Sequence, residues 1–469
     1  MKKFKIRVEG GLLVPREALS VLSLEPYIYN KKGVGDIAST KFIQVDGERF
    51  VSFPRNMPKF DSFFKEVVDY EYVDNRVAGD DIKYNLNGSF ALRVYQEQPV
   101  RDLVNSLKTG AGNSVILQAE PSFGKTFILP KIILNIGKRA LILVDRDLLR
   151  DQMFDEFSTN STAKVMKLGK HTAVVDDLGD VNIATFQLLL KNESLVKLLA
   201  NHVGIVVVDE CHVAPAEKFS AILSQIPAKF RLGLSATPTR SDGLTSIITD
   251  TFGSAKVIGT NPNNLKVTSV VVDTHIPVNF STKAQYAKQF IKSMTSPLPK
   301  SKRTPINLAI TMAVELHKRN RRVLLYVTYV DLQSLLQRGL TSLGLTVGVI
   351  QGKTPKLVRK TMIDDFQSGK LDFLVSGVIL QKGVSIHRLD TIINLVPQNK
   401  ENLEQVVGRL RREYEGKPTP LFVYFTFVGK LEYGTALVIE ALKRATKKGD
   451  KFHRISVDGF MKQVKENTK

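Results

Sequence analysis

The chain is short of cysteine, of carboxylates and of long apolar runs, and each shortage excludes something. With one cysteine, Cys211, it can build neither a disulfide framework nor a cysteine-ligated metal cluster, and it suits a reducing compartment. Apolar stretches such as Ala140–Val144 and Ile205–Val208 fall far below the roughly 20 residues of a membrane-spanning helix. The N-terminus alternates charge with bulk (Lys5, Ile6, Arg7, Val8) where a signal peptide would continue into an unbroken apolar core, so a soluble, intracellular protein is expected. Carboxylates are outnumbered: 67 lysines and arginines against 46 aspartates and glutamates leave a net charge of +21. A surplus that large asks for a polyanionic partner, most often nucleic acid and less often an anionic membrane surface. There is no repeat at solenoid periods and no low-complexity tract.

What is present is globular. Hydrophobic residues at 43% and charged residues at 24% exclude a disordered or fibrous chain, and 469 residues exceed one hydrophobic core, so two to four domains are expected. Residues 1–89 show short alternating runs (Lys5–Val8, Lys41–Val45, Arg49–Phe53) with Asp46-Gly47 as a hairpin signal, and predict a small β-rich domain with one helix around Phe60–Val68. Its aromatics (Tyr27, Tyr29, Phe42, Phe50, Phe53, Phe60, Phe63, Phe64, Tyr70, Tyr72) suit either a core short of bulk or stacking on unpaired bases. From about Phe90, short β-branched runs alternate with helical stretches: Ser114–Gln118, Ala140–Val144, Val181–Ala184, Ile205–Val208 and Arg231–Leu234. The pattern recurs at Lys266–Val272, Val323–Val327, Thr346–Ile350, Phe373–Ser376 and Thr391–Leu395. Continuous apolar strands between amphipathic helices describe parallel sheets covered on both faces. The expected class is α/β, with two tandem parallel-sheet domains over 90–260 and 261–469 and the Ser/Pro/Lys-rich stretch Thr295–Pro305 as an exposed loop.

The first strand of the first α/β domain runs into Ala119-Glu120-Pro121-Ser122-Phe123-Gly124-Lys125-Thr126 and then an apolar helix. Strand, loop, helix with Gly-Lys-Thr at the helix start supplies backbone N–H groups, a lysine charge and a hydroxyl for Mg²⁺, which is what a nucleotide's terminal phosphates need. Lys125 would reach those phosphates and Thr126 would ligate the metal, with Ser122 and Gly124 lining the loop. Ala119 and Ser122 stand where the consensus or many relatives carry glycine. Further on, Ile205–Val208 runs into Asp209-Glu210-Cys211-His212. An apolar strand ending in two acids puts both at the sheet's carboxyl edge, where the phosphate loop also opens. Asp209 can hold the hydration shell of Mg²⁺, and Glu210 can orient or deprotonate an attacking water. Cys211 reads as a packing residue rather than a nucleophile. His212 lacks other histidines at ligand spacing and reads as a coupling residue.

From Leu92 to Arg412 the sequence resembles a superfamily 2 helicase. Leu92-Arg93-Val94-Tyr95-Gln96 is similar to the adenine-reading segment of that family, which gives Tyr95 and Gln96 to nucleotide binding. Ala119–Thr126 resembles motif I, Leu143–Gln152 motif Ia, Asn182–Gln187 the Ib or Ic segment, and Asp209–His212 motif II in its DECH form. Ser235-Ala236-Thr237-Pro238 resembles motif III, which implies coupling roles for Ser235 and Thr237. In the second domain Leu324–Leu336 is similar to motif IV, Val375–Ile386 to motif V, and Gln405–Arg412 to the QxxGRxxR of motif VI. The resemblance implies two RecA-like domains, ATP and Mg²⁺ as cofactors, and a catalytic set of Lys125, Asp209, Glu210, Gln405, Arg409 and Arg412. An arginine arriving from a second domain stabilises charge on the γ-phosphoryl group, so hydrolysis would require closure. Arg409 and Arg412, at i and i+3, are expected on one helical face, with Arg411 pointing elsewhere.

Motifs Ia, Ib, IV and V would follow one nucleic-acid strand, with Thr185, Thr328, Ser376 and Ser385 as phosphate contacts, which position without reading sequence. Motif V departs from commoner relatives in Ser376-Gly377 and Lys382, while the Gly383 turn, a coupling element, survives. The DECH form, LRxYQ and the extra front domain resemble the DNA-acting branch-migration helicases of large tailed phages and, more distantly, XPB-like helicases. That resemblance implies ATP-driven remodelling of forks, D-loops and four-way junctions in recombination and repair, in a bacterial or phage-infected cytoplasm. Lys31, Lys32, Arg55 and Lys59 suit phosphate contacts of the front domain, and the basic stretch from Lys443 (Arg444, Lys447, Lys448, Lys451, Arg454) suits either a continued DNA track or a solvated helix and tail. An ATP-gated clamp or annealing factor, a restriction translocase subunit and an RNA helicase remain alternatives; no nuclease motif accompanies the chain.

Overall fold

The structure is a computed structural model of the 469-residue chain and describes residues 4–15, 17–18, 41–45, 48–56, 70–213, 222–238, 245–299, 302–377 and 386–466. The chain folds as two compact units, Met1–Asn261 and Pro262–Lys469.

The first unit opens with a five-stranded sheet of β1 (Phe4–Val8), β2 (Gly11–Pro15), β3 (Lys41–Val45), β4 (Glu48–Pro54) and β5 (Tyr70–Asp74), in the order β3-β4-β2-β1-β5. Neighbours are antiparallel except β1 and β5, which run parallel. Alternation along β1 buries Phe4 and Ile6 and exposes Lys5, so one face joins Leu12, Val14, Val51 and Phe53 in a small core. Phe50 and Phe53 are buried, whereas Tyr72 is 45% exposed. The predicted helix at Phe60–Val68 lies outside the described residues, as do Tyr27, Tyr29, Lys31, Lys32, Lys59, Phe60, Phe63 and Phe64.

This sheet is locked to the α/β domain that follows. Gly10 carries no Cβ because one would sit 2.0 Å from the Ser224 carbonyl oxygen. Arg231 reaches from the α/β domain to the Gly10 carbonyl (2.7 Å) and the Leu223 carbonyl (2.6 Å). Arg55 reaches the other way, donating to the Ala228 carbonyl (2.5 Å) and the Ser114 hydroxyl (2.9 Å). Both guanidinium groups are almost wholly buried, and burial pushes Arg231 down to about 9 and Arg55 well below the usual arginine value. Arg55 therefore is not the phosphate contact its position near a turn suggested; its charge is spent inside the fold. Residues 75–88 then cross the amino ends of the parallel strands as an extended strap, with bridges Val77–Ala228, Asp81–Lys138 and Leu86–Ser161. Gly79, at φ +73°, lies where a Cβ would come within 2.1 Å of the Gly204 nitrogen.

The α/β domain contains β6 (Ser114–Ala119), β7 (Ala140–Val144), β8 (Val165–Lys167), β9 (Val181–Thr185), β10 (Ile205–Asp209), β11 (Phe230–Ser235) and β12 (Lys256–Gly259). Its helices are α1 (Val94–Thr109), α2 (Lys125–Ile136), α3 (Asp147–Asn160), α4 (Phe186–Leu189), α5 (Glu193–His202) and α6 (Ser246–Phe252). The sheet is parallel throughout, ordered β12-β6-β11-β10-β7-β9-β8. Strands β7 and β9 are buried along their whole length, as doubly covered strands are. The five predicted strands are all present; the short edge strands β8 and β12 are additional.

The second unit is a parallel sheet ordered β15-β16-β14-β17-β18-β13-β19. It comprises β13 (Thr268–Val278), β14 (Val323–Tyr326), β15 (Val347–Ile350), β16 (Phe373–Ser376), β17 (Thr391–Asn394), β18 (Leu421–Gly429) and β19 (Lys451–Ser456). Helices α7 (Lys283–Thr295), α8 (Pro305–His317), α9 (Val330–Thr341), α10 (Lys356–Ser368), α11 (Lys400–Leu410), α12 (Glu432–Ala445) and α13 (Val457–Glu466) accompany it. Thr304 caps α8 by accepting from the Asn307 N–H, with Pro305 in the first turn, and the described residues before the helix, 296–299 and 302–304, form a loop as expected. The basic stretch from Lys443 is folded: β19 pairs with β13, and Phe460 and Met461 of α13 join the core. Two tandem RecA-like α/β domains with a β-rich front region are thus the architecture.

Candidate nucleotide-binding and hydrolysis site

The chemistry-bearing residues of the first unit gather at the carboxyl edge of its sheet, where β6, β11 and β10 lie side by side. After β6 the loop turns tightly: Ser122 is left-handed (φ +70°) and so is Gly124 (φ +91°), which caps α2. At Gly124 the turn demands glycine, because a Cβ would lie 2.6 Å from Nε2 of Gln96. Ala119, the departure from the usual glycine, fits because its neighbour on β12 is Gly259, which likewise has no room for a side chain. Phe123 is fully buried and anchors the loop. Lys125 and Thr126 then open α2, with the first-turn N–H groups free of helical partners, as a phosphate site requires.

Gln96 is completely buried, and both ends of its amide are engaged. Nε2 donates to the Phe123 carbonyl at 2.6 Å and Oε1 accepts from the Arg93 N–H at 3.0 Å. In this structure the amide braces the phosphate loop, a contact the sequence could not announce. Tyr95 packs toward Phe123, ring centroids 5.8 Å apart, and its hydroxyl accepts from Arg93 at 2.8 Å.

Asp209 ends β10 and accepts the Glu210 N–H at 3.1 Å. Glu210 is left-handed (φ +51°), a strained state for a glutamate, and its carboxylate lies 3.6 Å from the Lys125 ammonium. His212 reaches Glu210 (3.4 Å) and the Ser235 hydroxyl (3.1 Å), and that hydroxyl also accepts the Thr237 N–H at 3.1 Å. Lys125, Glu210, His212, Ser235 and Thr237 therefore form one contiguous chain of contacts. Cys211 is fully buried against Gly233, and burial drives its thiol far above the usual range, which makes it a packing residue and a poor nucleophile. For Mg²⁺ the chain offers hard oxygens, the Thr126 hydroxyl and the Asp209 carboxylate. Among the described residues no group of three or more His, Cys, Asp or Glu could hold a metal by itself.

In the second unit Gln405 and Arg409 lie on α11. The helix ends at Leu410, so Arg412 follows the helix end instead of continuing its face, a departure from the expected i, i+3 alignment. Burial pushes the Arg412 guanidinium below its usual value. Lys417 caps the end of α11, donating to the Leu410 and Arg412 carbonyls at 2.8 Å each. Of the expected phosphate contacts, Thr328 is exposed. Thr185 is nearly buried and caps α4, its hydroxyl accepting from the Leu188 N–H. Ser376 does not meet the expectation: it is fully buried at the end of β16 and donates to the Ile350 carbonyl at 2.8 Å. Gly383 and Ser385 lie outside the described residues. No described helix is long and apolar enough to cross a membrane.

A parallel sheet with a phosphate loop after its first strand and paired acids after another defines a RecA-like nucleotide hydrolase. The comparisons narrow the class. Residues 89–240 match the family described as type III restriction enzyme, res subunit, and residues 306–413 match the helicase conserved C-terminal domain. The chain is 27% identical over 366 residues to the protein named as helicase D10 in Escherichia phage T5, covering 76% of this chain and 75% of that one. It is 23% identical to a protein of Acanthamoeba polyphaga mimivirus named as the ATP-dependent RNA helicase L396, covering 86% and 76%. It is 26% identical to a Halobacterium salinarum protein named as the DNA 3'-5' helicase Rad25, covering 63% and 47%. A Saccharomyces cerevisiae Dbp5 structure, solved with RNA and ADP BeF3, matches the fold with a TM-score of 0.54 at 16% identity, covering 81% of this chain and 99% of that one. The chain belongs to the superfamily 2 helicases, and its helicase domains imply the use of ATP.

Proposed function

We propose that this helicase is a DNA motor that remodels branched DNA, such as forks, D-loops and four-way junctions, in recombination and repair. The observation that carries the reading is the front β-rich region, fastened to the first α/β domain by Arg55, Arg231 and the 75–88 strap. A module built into the motor body moves with it and can hold a junction arm while that body steps. The net charge of +21 supports a polyanionic track, and the likeness to a protein named as the DNA 3'-5' helicase Rad25 supports DNA.

In this mechanism ATP phosphates draw Lys125 away from Glu210, with which it pairs at 3.6 Å. Freed, the Glu210 carboxylate orients the attacking water and takes its proton. Thr126 and Asp209 would hold Mg²⁺, which when bound would supply charge neutralisation at the phosphate oxygens. Gln405, Arg409 and Arg412 come from the second unit, so turnover waits on closure, and the contacts of His212 with Glu210 and Ser235 pass the change to motif III. Tyr95 serves the nucleotide base side, and Gln96 acts by bracing the loop that grips the phosphates.

A second reading, an RNA helicase, is favoured by the likeness to L396. The test sets a mobile four-way DNA junction, a tailed DNA duplex and a tailed RNA duplex side by side, with Lys125→Ala as the inactive control. Faster ATP-dependent processing of the junction, lost in the control, supports the proposal. Activity confined to the tailed DNA overturns the branched-DNA role, and activity confined to RNA overturns DNA as the substrate.

A further inference from the structure

Arg411 stands between the two arginines assigned to hydrolysis, yet its side chain is turned into the fold. It caps the end of α11 and meets Asp450 in a two-pronged ion pair: Nη1 donates to Oδ1 at 2.9 Å and Nη2 donates to Oδ2. The Asp450 side chain is 2% exposed. Its Oδ1 also accepts the Val267 N–H at 3.1 Å, and the Lys451 N–H returns to the Val267 carbonyl at 3.0 Å. Arg411 holds the same segment directly: its carbonyl accepts the Leu265 N–H at 2.9 Å, and Nη1 reaches the Leu265 carbonyl at 3.4 Å. Lys266 adds a bond to the Lys448 carbonyl at 2.9 Å.

Leu265 lies just past the boundary between the two units, which falls after Asn261. Ordered strand β12 ends at Gly259. The chain between the units is therefore held on its near side, where the Asn261 amide donates to the Ser122 carbonyl at 3.1 Å, and pinned on its far side at Leu265. The three residues between span no more than roughly 11 Å when fully extended, so any change in the spacing of the units acts on the pin. The pin is the residue between Arg409 and Arg412.

We propose that Arg411 and Asp450 form a hinge anchor that fixes the end of the linker to the end of α11, so that the arginines of motif VI stay in register with the hinge as the units close. Arg411 is a positioning residue, and the inference rests on the assignment of Arg409 and Arg412 to hydrolysis. A guanidinium fork fits the task because two parallel bonds fix orientation as well as distance, which a lysine ammonium cannot do.

The full-length chain is tested with Arg411→Lys, Asp450→Asn and the exchange Arg411→Asp with Asp450→Arg, beside Arg409→Ala. Three quantities are measured: kcat and KM for ATP with DNA present, the unfolding midpoint, and energy transfer between one dye in each unit on adding a non-hydrolysable ATP analogue. Arg411→Lys is expected to lower kcat by about tenfold or more with KM within about twofold, to blunt the nucleotide-dependent energy-transfer change, and to remain folded at the assay temperature. The exchange is expected to restore both signals in part. Unchanged kcat and energy transfer in both single variants, while Arg409→Ala stops turnover, overturns the anchor and leaves the motif VI assignment standing. Turnover surviving Arg409→Ala overturns that assignment and the anchor with it. A fall in the unfolding midpoint with kcat and energy transfer intact reduces the pair to an ordinary structural ion pair and overturns the proposal.

Discussion

The two seven-stranded sheets are built alike, yet they hold their functional residues by different means. At the carboxyl edge of the first, Ser122 and Glu210 sit in left-handed conformations that side chains other than glycine's avoid. In the second, the described left-handed non-glycine residues are His275 and Asn320, neither of them in motif VI. There α11 is regular, and its end is fixed from outside by Lys417 and by the Arg411–Asp450 pair. The difference follows from the tasks proposed for the two edges. A phosphate is small and must meet backbone N–H groups, so the main chain itself bends and stores strain. An arginine reaches its target at the end of a long side chain, so the main chain stays helical and the neighbours supply precision.

The largest expected effect comes from the strained edge. Glu210→Gln keeps the shape and removes the proposed base, so kcat for ATP should fall about 10²- to 10⁴-fold with ATP binding retained, as single-turnover hydrolysis and equilibrium binding would report. Near-normal turnover would take Glu210, and the strain it carries, out of the chemistry. Next comes Arg231→Met, which cuts an anchor of the first unit far from that edge. The Gly10 and Leu223 carbonyls lose their charged donor, and the unfolding free energy should drop by about 2–3 kcal/mol, while KM for ATP is unchanged. A change in KM without loss of stability would show that the two ends of this sheet are coupled.

Ser122→Gly relieves the left-handed serine and should raise the first unit's stability by up to about 1 kcal/mol, read by denaturant unfolding. A loss of stability there would mean that the serine hydroxyl outweighs the strain. The last test addresses the anchors of the second sheet, through pH. Burial pushes the Lys417 ammonium from the usual 10.5 down to about 8, so the unfolded chain holds a proton that the folded one has released between those values. Stability attributable to Lys417 should therefore rise as pH climbs from about 8 to 10.5. The wild-type curve minus that of Lys417→Met should show that positive slope; a flat difference would remove Lys417 as a titrating cap.

Much of this was legible because parallel sheets write themselves plainly. Buried strands such as β6 and β10 are built on apolar runs, and the residues at or just past their carboxyl ends, Lys125 and Asp209-Glu210, fall at one edge by topology alone. Edge strands were not legible: β8 has three residues and β19 alternates weakly with charge, so neither resembles a doubly covered strand. Strand β18 is strongly apolar, but its nine residues do not themselves say that it lies between β17 and β13. Arg55 and Ser376 misled for one reason. Each is a residue type that suits a phosphate, and nothing local shows that Ala228, Ser114 or Ile350 arrives from elsewhere in the chain to claim it.

The amino-acid sequence by itself determined the class of the fold, the order of the helicase motifs and the types of group that meet a nucleotide, since these depend on local periodicity and spacing. Only the tertiary structure decided which polar groups are left for function. It gave Gln96 to the phosphate loop, Arg231 and Arg55 to the seam with the front sheet, and Arg411 to Asp450. The partners in these last contacts lie tens to hundreds of residues away, and a buried donor goes to whichever acceptor the packing brings within reach, because leaving it unpaired costs more than any local preference supplies.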